Sequence, residues 1–343
     1  MAGKGKGKLA LVTGASGFMG HHMVKEAVDY GFRVRATDTS SRYYGAMFDA
    51  LGVEFVVKDL TKREGLDALF KGVDVVFHVA GIHDYSTPDK VMYAINIGGA
   101  ENMCTAALKA KVKRFIHWSS VAVYGCNTNP PIAEDAEKMV PPLNNYYISK
   151  WEGEKIVMRY HKEKGLKVTA LRPTGIYGPR SEYGVYNIFN LIYKDRKKKK
   201  ILMAGKGDKI DGFVHVRDVA RAAIHAYEND STIGEAYNVN DNSRLTSAEF
   251  FKMVCKELLG VEKELSSVPV KILIPVAMVS QFFARLFGTK SLLEKATIEY
   301  LTFDKLWDNG KLKKTGFKFL YPDIAKSLKE TLAWYKDNGW FRL

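Results

Sequence analysis

Along the first half of the chain, short β-branched apolar runs alternate with stretches whose apolar residues recur at helical spacing. Residues 9–13 read as a strand, 21–30 as a helix stopped by Gly31, and 33–38 as a second strand. Residues 54–58 and 73–79 read as strands around a helical stretch at 61–71, and 91–110 as a long helix before a strand at 114–119. A helix at 146–163 and a strand at 167–172 continue the rhythm. Strand, helix, strand in this order builds right-handed crossovers and a parallel sheet covered on both faces, so the predicted fold class is α/β, doubly wound. Past Pro173 the rhythm breaks at Gly175, Gly178, Pro179 and Gly184. Residues 213–216 and 236–239 read as short strands placed to return to the sheet, and from Leu245 onward the pattern is mainly helical. The expected division is a sheet domain over 9–175, rejoined by 213–240. A smaller, mainly helical C-terminal part is made of 176–212 and 241–343, with a crevice between the two.

The first strand runs into Gly14-Ala15-Ser16-Gly17-Phe18-Met19-Gly20 and then a helix. Glycines let a backbone approach a pyrophosphate closely, and the free N–H groups and dipole of the helix start favour its charge. The spacing is GxxGxxG, a string that small-residue packing in a βα turn also produces. Asp38 closes the second strand, 18 residues after Gly20. A carboxylate there accepts hydrogen bonds from an adenosine ribose diol and repels a 2′-phosphate, which points to NAD over NADP; Arg42 is near enough to soften that preference. A turn or helix cap is the structural alternative for Asp38. Tyr146 and Lys150 stand at i and i+4 on one helix face, whereas Tyr147 has Trp151 at the matching place. An ammonium beside a phenol favours phenolate, which makes Tyr146 a usable acid/base near neutrality. Ser119 and Ser120 close a strand at the carboxyl edge of the sheet, where ligands of such folds bind. A serine hydroxyl there orients a substrate oxygen, or caps a turn.

In order and spacing these pieces resemble the extended short-chain dehydrogenase/reductase (NAD-dependent epimerase/dehydratase) family, over nearly the whole chain. The run from Thr13 to Gly20 resembles its cofactor loop, and Asp59-Leu60 the pair that touches adenine. Val79-Ala80-Gly81 resembles the segment lining the cofactor after the fourth strand, and Asn96 the helix asparagine that braces the site. Ser120 to Gly125, Tyr146 with Lys150, and the run from Arg172 to Pro179 complete the set. The resemblance implies a Rossmann fold with NAD held by Gly14, Gly17, Phe18, Met19, Gly20, Asp38, Asp59, Leu60, Val79, Ala80, Gly81, Tyr146, Lys150, Pro173 and Ile176. It makes Tyr146 the acid/base, Lys150 the partner of the nicotinamide ribose that also tunes Tyr146, and Ser120 the residue that orients the substrate. Ser119 is the alternative one register away. A homodimer formed through two helices is a further implication.

Composition narrows the classes that remain. The chain has 343 residues, 46% of them hydrophobic, and a net charge of +14. That is too apolar for a disordered tail and ample for a buried core. Cys104, Cys126 and Cys255 include no CxxC and have no nearby histidine cluster, so they read as reduced, buried thiols of a cytoplasmic protein, with no metal site. No signal peptide and no run of about 18 to 20 uncharged apolar residues is visible. The basic excess concentrates in a tail over 1–8, at Lys4, Lys6 and Lys8, and in the run from Lys194 to Lys200. That run has no interleaved aromatic residue after Tyr193, so a solvated face is expected and no nucleic-acid partner, with an anionic membrane surface as the alternative.

Two features bear on the substrate. Members of the family that act on sugar nucleotides commonly carry Asn where Thr174 stands and Arg just before the Phe213-Val214-His215-Val216 strand, to hold the diphosphate. Here Asp211-Gly212 precede that strand, and Asp211 is expected to repel a diphosphate, with Lys206 or Lys209 as substitutes. His215 and Asp218 read as structural. The second feature is the segment 268–287, with 13 uncharged residues between Lys271 and Arg285, too few to span a bilayer. It reads as a core helix. It also resembles the apolar segment of enzymes like 3β-hydroxysteroid and sterol-4-carboxylate dehydrogenases, which walls a lipophilic pocket or rests on a membrane surface. The expected function is an NAD(H)-dependent oxidoreductase that interconverts a secondary alcohol and a ketone on a lipophilic, steroid- or isoprenoid-like small molecule. Decarboxylation follows where a carboxylate lies beta to the new ketone. An NDP-sugar 4-epimerase or dehydratase with tightly held NAD, and a non-catalytic NAD(H)-binding protein, are the alternatives.

Overall fold

The computed structural model describes residues 5–42, 44–127, 129–287 and 295–341, so Lys4 of the basic tail lies outside the described residues. The strands are β1 (Leu9–Thr13), β2 (Arg33–Asp38), β3 (Glu54–Val57), β4 (Val75–His78), β5 (Arg114–Trp118) and β6 (Val168–Pro173). They continue as β7 (Gly175–Tyr177), β8 (Lys200–Ala204), β9 (Phe213–His215), β10 (Glu235–Val239) and β11 (Glu264–Val268). Seven of them form one sheet in the order β10-β6-β5-β4-β1-β2-β3, parallel throughout. The order reverses at β1, which pairs with β2 on one side and β4 on the other, and ligands of open α/β sheets bind outside the carboxyl ends at that reversal.

β1, β4, β5 and β6 are buried at every position, as a sheet covered on both faces requires. Alternate β1 residues feed two cores. Ala10 and Val12 pack with the helices Phe18–Tyr30 and Val216–Glu228 through Met23, Val24, Ala27 and Ala223. Leu9 and Leu11 pack on the other face with Ala100–Lys109 and Asn145–Lys164 through Met103, Ala107 and Val157. Each fully buried Val, Leu or Met contributes about 1.5–3 kcal/mol. A third core joins Phe189, Phe250, Leu328 and Tyr335 from the helices Val185–Lys194, Ser247–Leu259 and Ile324–Asp337.

The structure departs from the sequence pattern in four places. The helix expected at 61–71 shrinks to Leu66–Leu69, because Asp59 turns the chain by accepting from the Thr61 N–H and Gly65 takes the left-handed φ of 74°. The helix expected at 91–110 starts at Asp89 and contains a π turn at Ala94–Gly99. β9 pairs with β7, not with the main sheet; a Cβ at Gly175 would stand 2.8 Å from the Gly212 carbonyl oxygen, so the two chains approach at a glycine. β8 and β11 form a parallel pair where loop and helix were expected. The basic run leads into β8, with Lys198 on Asp195 and Lys200 on Glu264, each at 2.9 Å.

Candidate active site

The turn after β1 is built on close approaches that only glycine permits. Gly14 has φ 63°, and a Cβ there would stand 2.7 Å from Ala80 Cα; a Cβ at Gly20 would stand 1.9 Å from the Gly14 carbonyl oxygen. Gly17 caps the helix Phe18–Tyr30, which has no side-chain cap and no acidic residue in its first turn. The first N–H groups of such a helix have no intrahelical partner and attract an anion. The Ser16 hydroxyl is buried beside them without a partner. Asp38 stands at the end of β2, half-buried, its Oδ2 accepting from the Ser16 N–H at 3.0 Å and its Oδ1 from the Thr39 N–H at 2.7 Å. An orphaned hydroxyl, a glycine cradle and a carboxylate at the next strand end fit a dinucleotide: pyrophosphate on Gly14 to Gly20, ribose on Asp38.

The remaining cofactor candidates line the same edge. Asp59 is exposed and Leu60 half-buried after β3; Asp59 accepts from the Thr61 hydroxyl at 2.7 Å, and the Leu60 carbonyl from Asn102 at 3.0 Å. Val79 and Ala80 follow β4, and the Ala80 N–H donates to Thr13 Oγ1 at 3.1 Å. A side chain at Gly81 would stand 3.2 Å from Asn96 Oδ1 and 3.6 Å from Lys150 Nζ, which places Gly81 over the catalytic candidates. Pro173 ends β6, and Ile176 of β7 packs, half-buried, against the first core, to which Phe18 and Met19 belong. Asn96, inside the π turn, donates to the Ile82 carbonyl and to Ser149 Oγ and accepts from the Ile82 N–H, at 2.8–2.9 Å. Such a turn interrupts the helical ladder, and π turns recur at functional sites.

Tyr146 and Lys150 ride on the helix Asn145–Lys164, which Asn144 caps by accepting from the Tyr147 N–H at 3.0 Å and Gly165 ends at φ 74°. Ser120 is half-buried at the start of the turn Val121–Tyr124; its Oγ accepts from the Ala122 N–H at 3.1 Å, and its hydroxyl lies beside the Tyr146 phenol. Ser119 is buried and donates to Glu154. The structure thus sets Ser120 beside Tyr146, turns Lys150 to the end of β5, and commits Ser119 to Glu154. Lys150 Nζ is buried and donates to the Trp118 carbonyl at 2.6 Å. Burial pushes the ammonium down to about 8, against the charge of Glu154. The Tyr146 phenol departs from expectation. Burial pushes it above its ordinary value, only the Ser120 hydroxyl opposes that, and Lys150 is turned to Trp118.

Sequence reasoning missed several neighbours. The Tyr85 ring stands edge-on to Tyr146 at 5.7 Å, and Tyr147, Phe303 and Tyr300 pack in one cluster with Tyr146. Glu154 lies one turn beyond Lys150, a spacing legible in the sequence; Tyr300 carries no sequence signal. Asp211 is a correction. It is buried, with Oδ1 3.0 Å from Lys305 Nζ and Oδ2 accepting from Ser247 Oγ at 2.5 Å, so its charge is neutralised and does not face the site as a free anion. His215 accepts from the Arg217 N–H at 3.3 Å, and Asp218 from the Leu320 and Tyr321 N–H groups at 2.6 and 2.8 Å, both structural tasks. No cluster of metal-ligating side chains occurs among the described residues.

Comparison with known proteins agrees with this geometry. The profile of the NAD dependent epimerase/dehydratase family matches residues 10–240. The sterol-4-alpha-carboxylate 3-dehydrogenase, decarboxylating, of Mus musculus is 29% identical over 76% of this chain and 70% of its own. The N-acetyl-alpha-D-glucosaminyl-diphospho-ditrans,octacis-undecaprenol 4-epimerase of Escherichia coli O157:H7 is 26% identical over 94% of both chains. A UDP-glucose 4-epimerase from Thermotoga maritima, solved with UDP-glucose, shares the fold at a TM-score of 0.77 and 24% identity, covering 96% of this chain and 99% of that one. The chain therefore belongs to the NAD-dependent epimerase/dehydratase family and is an NAD-dependent oxidoreductase of the extended short-chain type.

Proposed function

We propose that the protein oxidises a secondary alcohol on a lipophilic, steroid- or isoprenoid-like substrate, and reduces the ketone in reverse. The observation that carries this reading is the helix Val270–Leu286. Ile272, Val276, Val279 and Phe282 on it are 53–64% exposed, and it packs against the helix Lys295–Tyr300, whose Tyr300 joins the wall beside Tyr146. An apolar surface so placed suits a substrate drawn from an apolar phase. No described helix is long and apolar enough to cross a membrane, so the contact in this reading is peripheral, at a lipid surface. Co-sedimentation with anionic and neutral liposomes reads that contact. A homodimer belongs to the same reading, with the sedimentation coefficient as its measure.

NAD, when bound, supplies the hydride acceptor. Tyr146 as phenolate takes the hydroxyl proton of the carbinol, while Ser120 holds its oxygen. In this reading Lys150 leaves the Trp118 carbonyl for the nicotinamide ribose when the cofactor binds and there favours phenolate, and the apolar wall of Tyr147 and Phe303 keeps water from the reacting carbon. If a carboxylate lies beta to the new ketone, carbon dioxide leaves without a further catalytic group.

The E. coli relative, named for a diphospho-sugar on a polyprenol, favours a second reading in which the ketone is an intermediate and hydride returns to the other face. The assay is NADH formation with lipophilic 3-hydroxy compounds in one set and UDP-, dTDP- and polyprenyl-diphospho-sugars in another. NADH accumulation with the alcohols supports the dehydrogenase; sugar turnover without it replaces that reading by the epimerase. Tyr146→Phe is expected to abolish turnover while NAD binding stays, and retained turnover removes the mechanism.

A further inference from the structure

The end of β5 grips two successive turns of the catalytic helix: the Trp118 carbonyl takes Lys150, and the next residue, Ser119, takes Glu154. Glu154 is held from behind by a bidentate arginine, Arg172 of β6, at 2.6 Å from Nη2 to Oε1 and 3.0 Å from Nε to Oε2. Arg172 also donates to the Tyr124 hydroxyl at 2.8 Å and the Glu134 carbonyl at 3.0 Å, and Tyr124 donates to Asn238 at 2.6 Å. The side chains of Glu154 and Arg172 are 2% and 5% exposed. A buried ion pair of this kind is poor evidence of a stabilising role, because apolar residues of similar volume often serve as well. Its charges therefore call for another use.

Lys150 supplies one. The titratable groups around it are Tyr146 and Glu154 on its own helix, His78 from β4, His117 from β5 and Arg172 from β6. Burial holds both imidazoles far below their ordinary values, hence neutral, and leaves both His117 ring nitrogens without partners. Among these groups the Glu154 carboxylate is the one whose charge favours the ammonium. Arg172 pairs that carboxylate bidentately, and Ser119 keeps it in register with the strand.

We infer that Glu154, locked by Arg172 and Ser119, is a positioning residue that holds a carboxylate one helical turn from Lys150 and so supports the Lys150 ammonium in its place at the end of β5. The inference rests on the proposed place of Lys150 beside Tyr146 and the nicotinamide ribose. It makes Glu154 act on the reaction without touching substrate or cofactor.

The test is NADH affinity by fluorescence between pH 6 and 10, on the full chain, for the wild type, Glu154→Gln and Glu154→Asp. The wild type is expected to lose affinity as pH rises through about 8. Glu154→Gln shifts that loss acidward by about one pH unit or more, and Glu154→Asp brings it back toward the wild type. Coincident profiles for Gln and wild type overturn the inference. So does an equal loss in Gln and Asp with no shift, which marks a packing role, and so does a wild-type affinity flat across the range. If Glu154→Gln does not fold, the double variant Glu154→Gln with Arg172→Met leaves no unpaired charge, and its loss must still shift acidward. Because this readout needs no substrate, a shifted profile without alcohol turnover keeps the inference and removes only the proposed substrate.

Discussion

Replacing Gly153 by alanine sets two effects of opposite sign against each other. In an exposed helix interior the change stabilises by about 0.5–1 kcal/mol, because alanine has less backbone freedom to lose. Gly153, however, lies where the catalytic helix crosses the π turn Ala94–Gly99, and a Cβ there would stand 2.6 Å from the Asn96 carbonyl oxygen. The neighbour is backbone and cannot rotate aside. To reach an ordinary carbon–oxygen contact of about 3.3–3.6 Å the helix must move by about 0.7–1 Å. Overpacking of this kind costs about 1–3 kcal/mol, so after the propensity gain the net change is a destabilisation of up to about 2.5 kcal/mol. The same movement carries Tyr146 and Lys150 away from Gly81 and Asn96, and a misplacement near 1 Å costs turnover about 100-fold. Urea denaturation reads the first effect, NAD titration and steady-state kinetics the second. Gly98→Ala, in the same turn with no atom within 4 Å of its Cβ, is the stability control and is expected to hold or gain stability. A Gly153→Ala protein as stable as that control, with NAD affinity and turnover intact, refutes the reasoning.

The two serines at the end of β5 separate by what each loses. Ser120→Ala is expected to cut turnover about 100-fold or more with little change in stability, as loss of one donor at a reacting oxygen does. Ser119→Ala costs about 1–3 kcal/mol in chemical denaturation, since it strips a hydrogen bond from a buried carboxylate, and leaves more of the rate; the reverse pattern hands the substrate to Ser119. Asp38→Asn removes charge-assisted hydrogen bonds of about 1.5–3 kcal/mol. NAD binding is expected to weaken about 10- to 100-fold while NADP binding does not, and an unchanged NAD/NADP affinity ratio by calorimetry takes Asp38 off the ribose.

The parts of the site legible in the sequence are those held by near neighbours in the chain. β1, its glycine turn and the following helix announce themselves because a continuous apolar run gives way to helical spacing across three glycines. Tyr146 and Lys150 are found by an i, i+4 spacing that needs no tertiary information, and Glu154 continues the same face. The illegible parts are set by contacts between distant segments. The π turn has the composition of any helix, and what marks it is the Asn96 side chain closing on Ile82 and Ser149. β7 and β9 are three residues each, too short to show a period, and find one another through the approach of Gly175 to Gly212. The choice between Ser119 and Ser120 has no local signal either: Glu154, on another element, occupies one and leaves the other beside Tyr146.

Asp211 shows how a charge changes meaning between sequence and fold, and it bears on the substrate. As a lone carboxylate where sugar-nucleotide enzymes carry arginine, it argues against a diphosphate by repulsion. In the fold that repulsion is gone, because Lys305 lies 3.0 Å away and is 1% exposed. The argument against a diphosphate survives in another form. Lys305 is spent on Asp211 and on the carbonyls of Tyr300 and Phe303, each at 3.2 Å, and Lys209 faces Asp304 at 3.8 Å. A diphosphate wants bidentate or unpaired cations, and the described residues on this wall present phenols and a phenyl ring instead. Binding of a neutral lipophilic alcohol to such a wall owes little to charge, so its KM is expected to stay level between about 0.05 and 0.5 M salt, whereas a diphosphate substrate loses affinity as the screening length shortens. A KM that climbs steeply with salt for whichever substrate turns over would place a cation in the site that this wall does not supply, and would count against the alcohol.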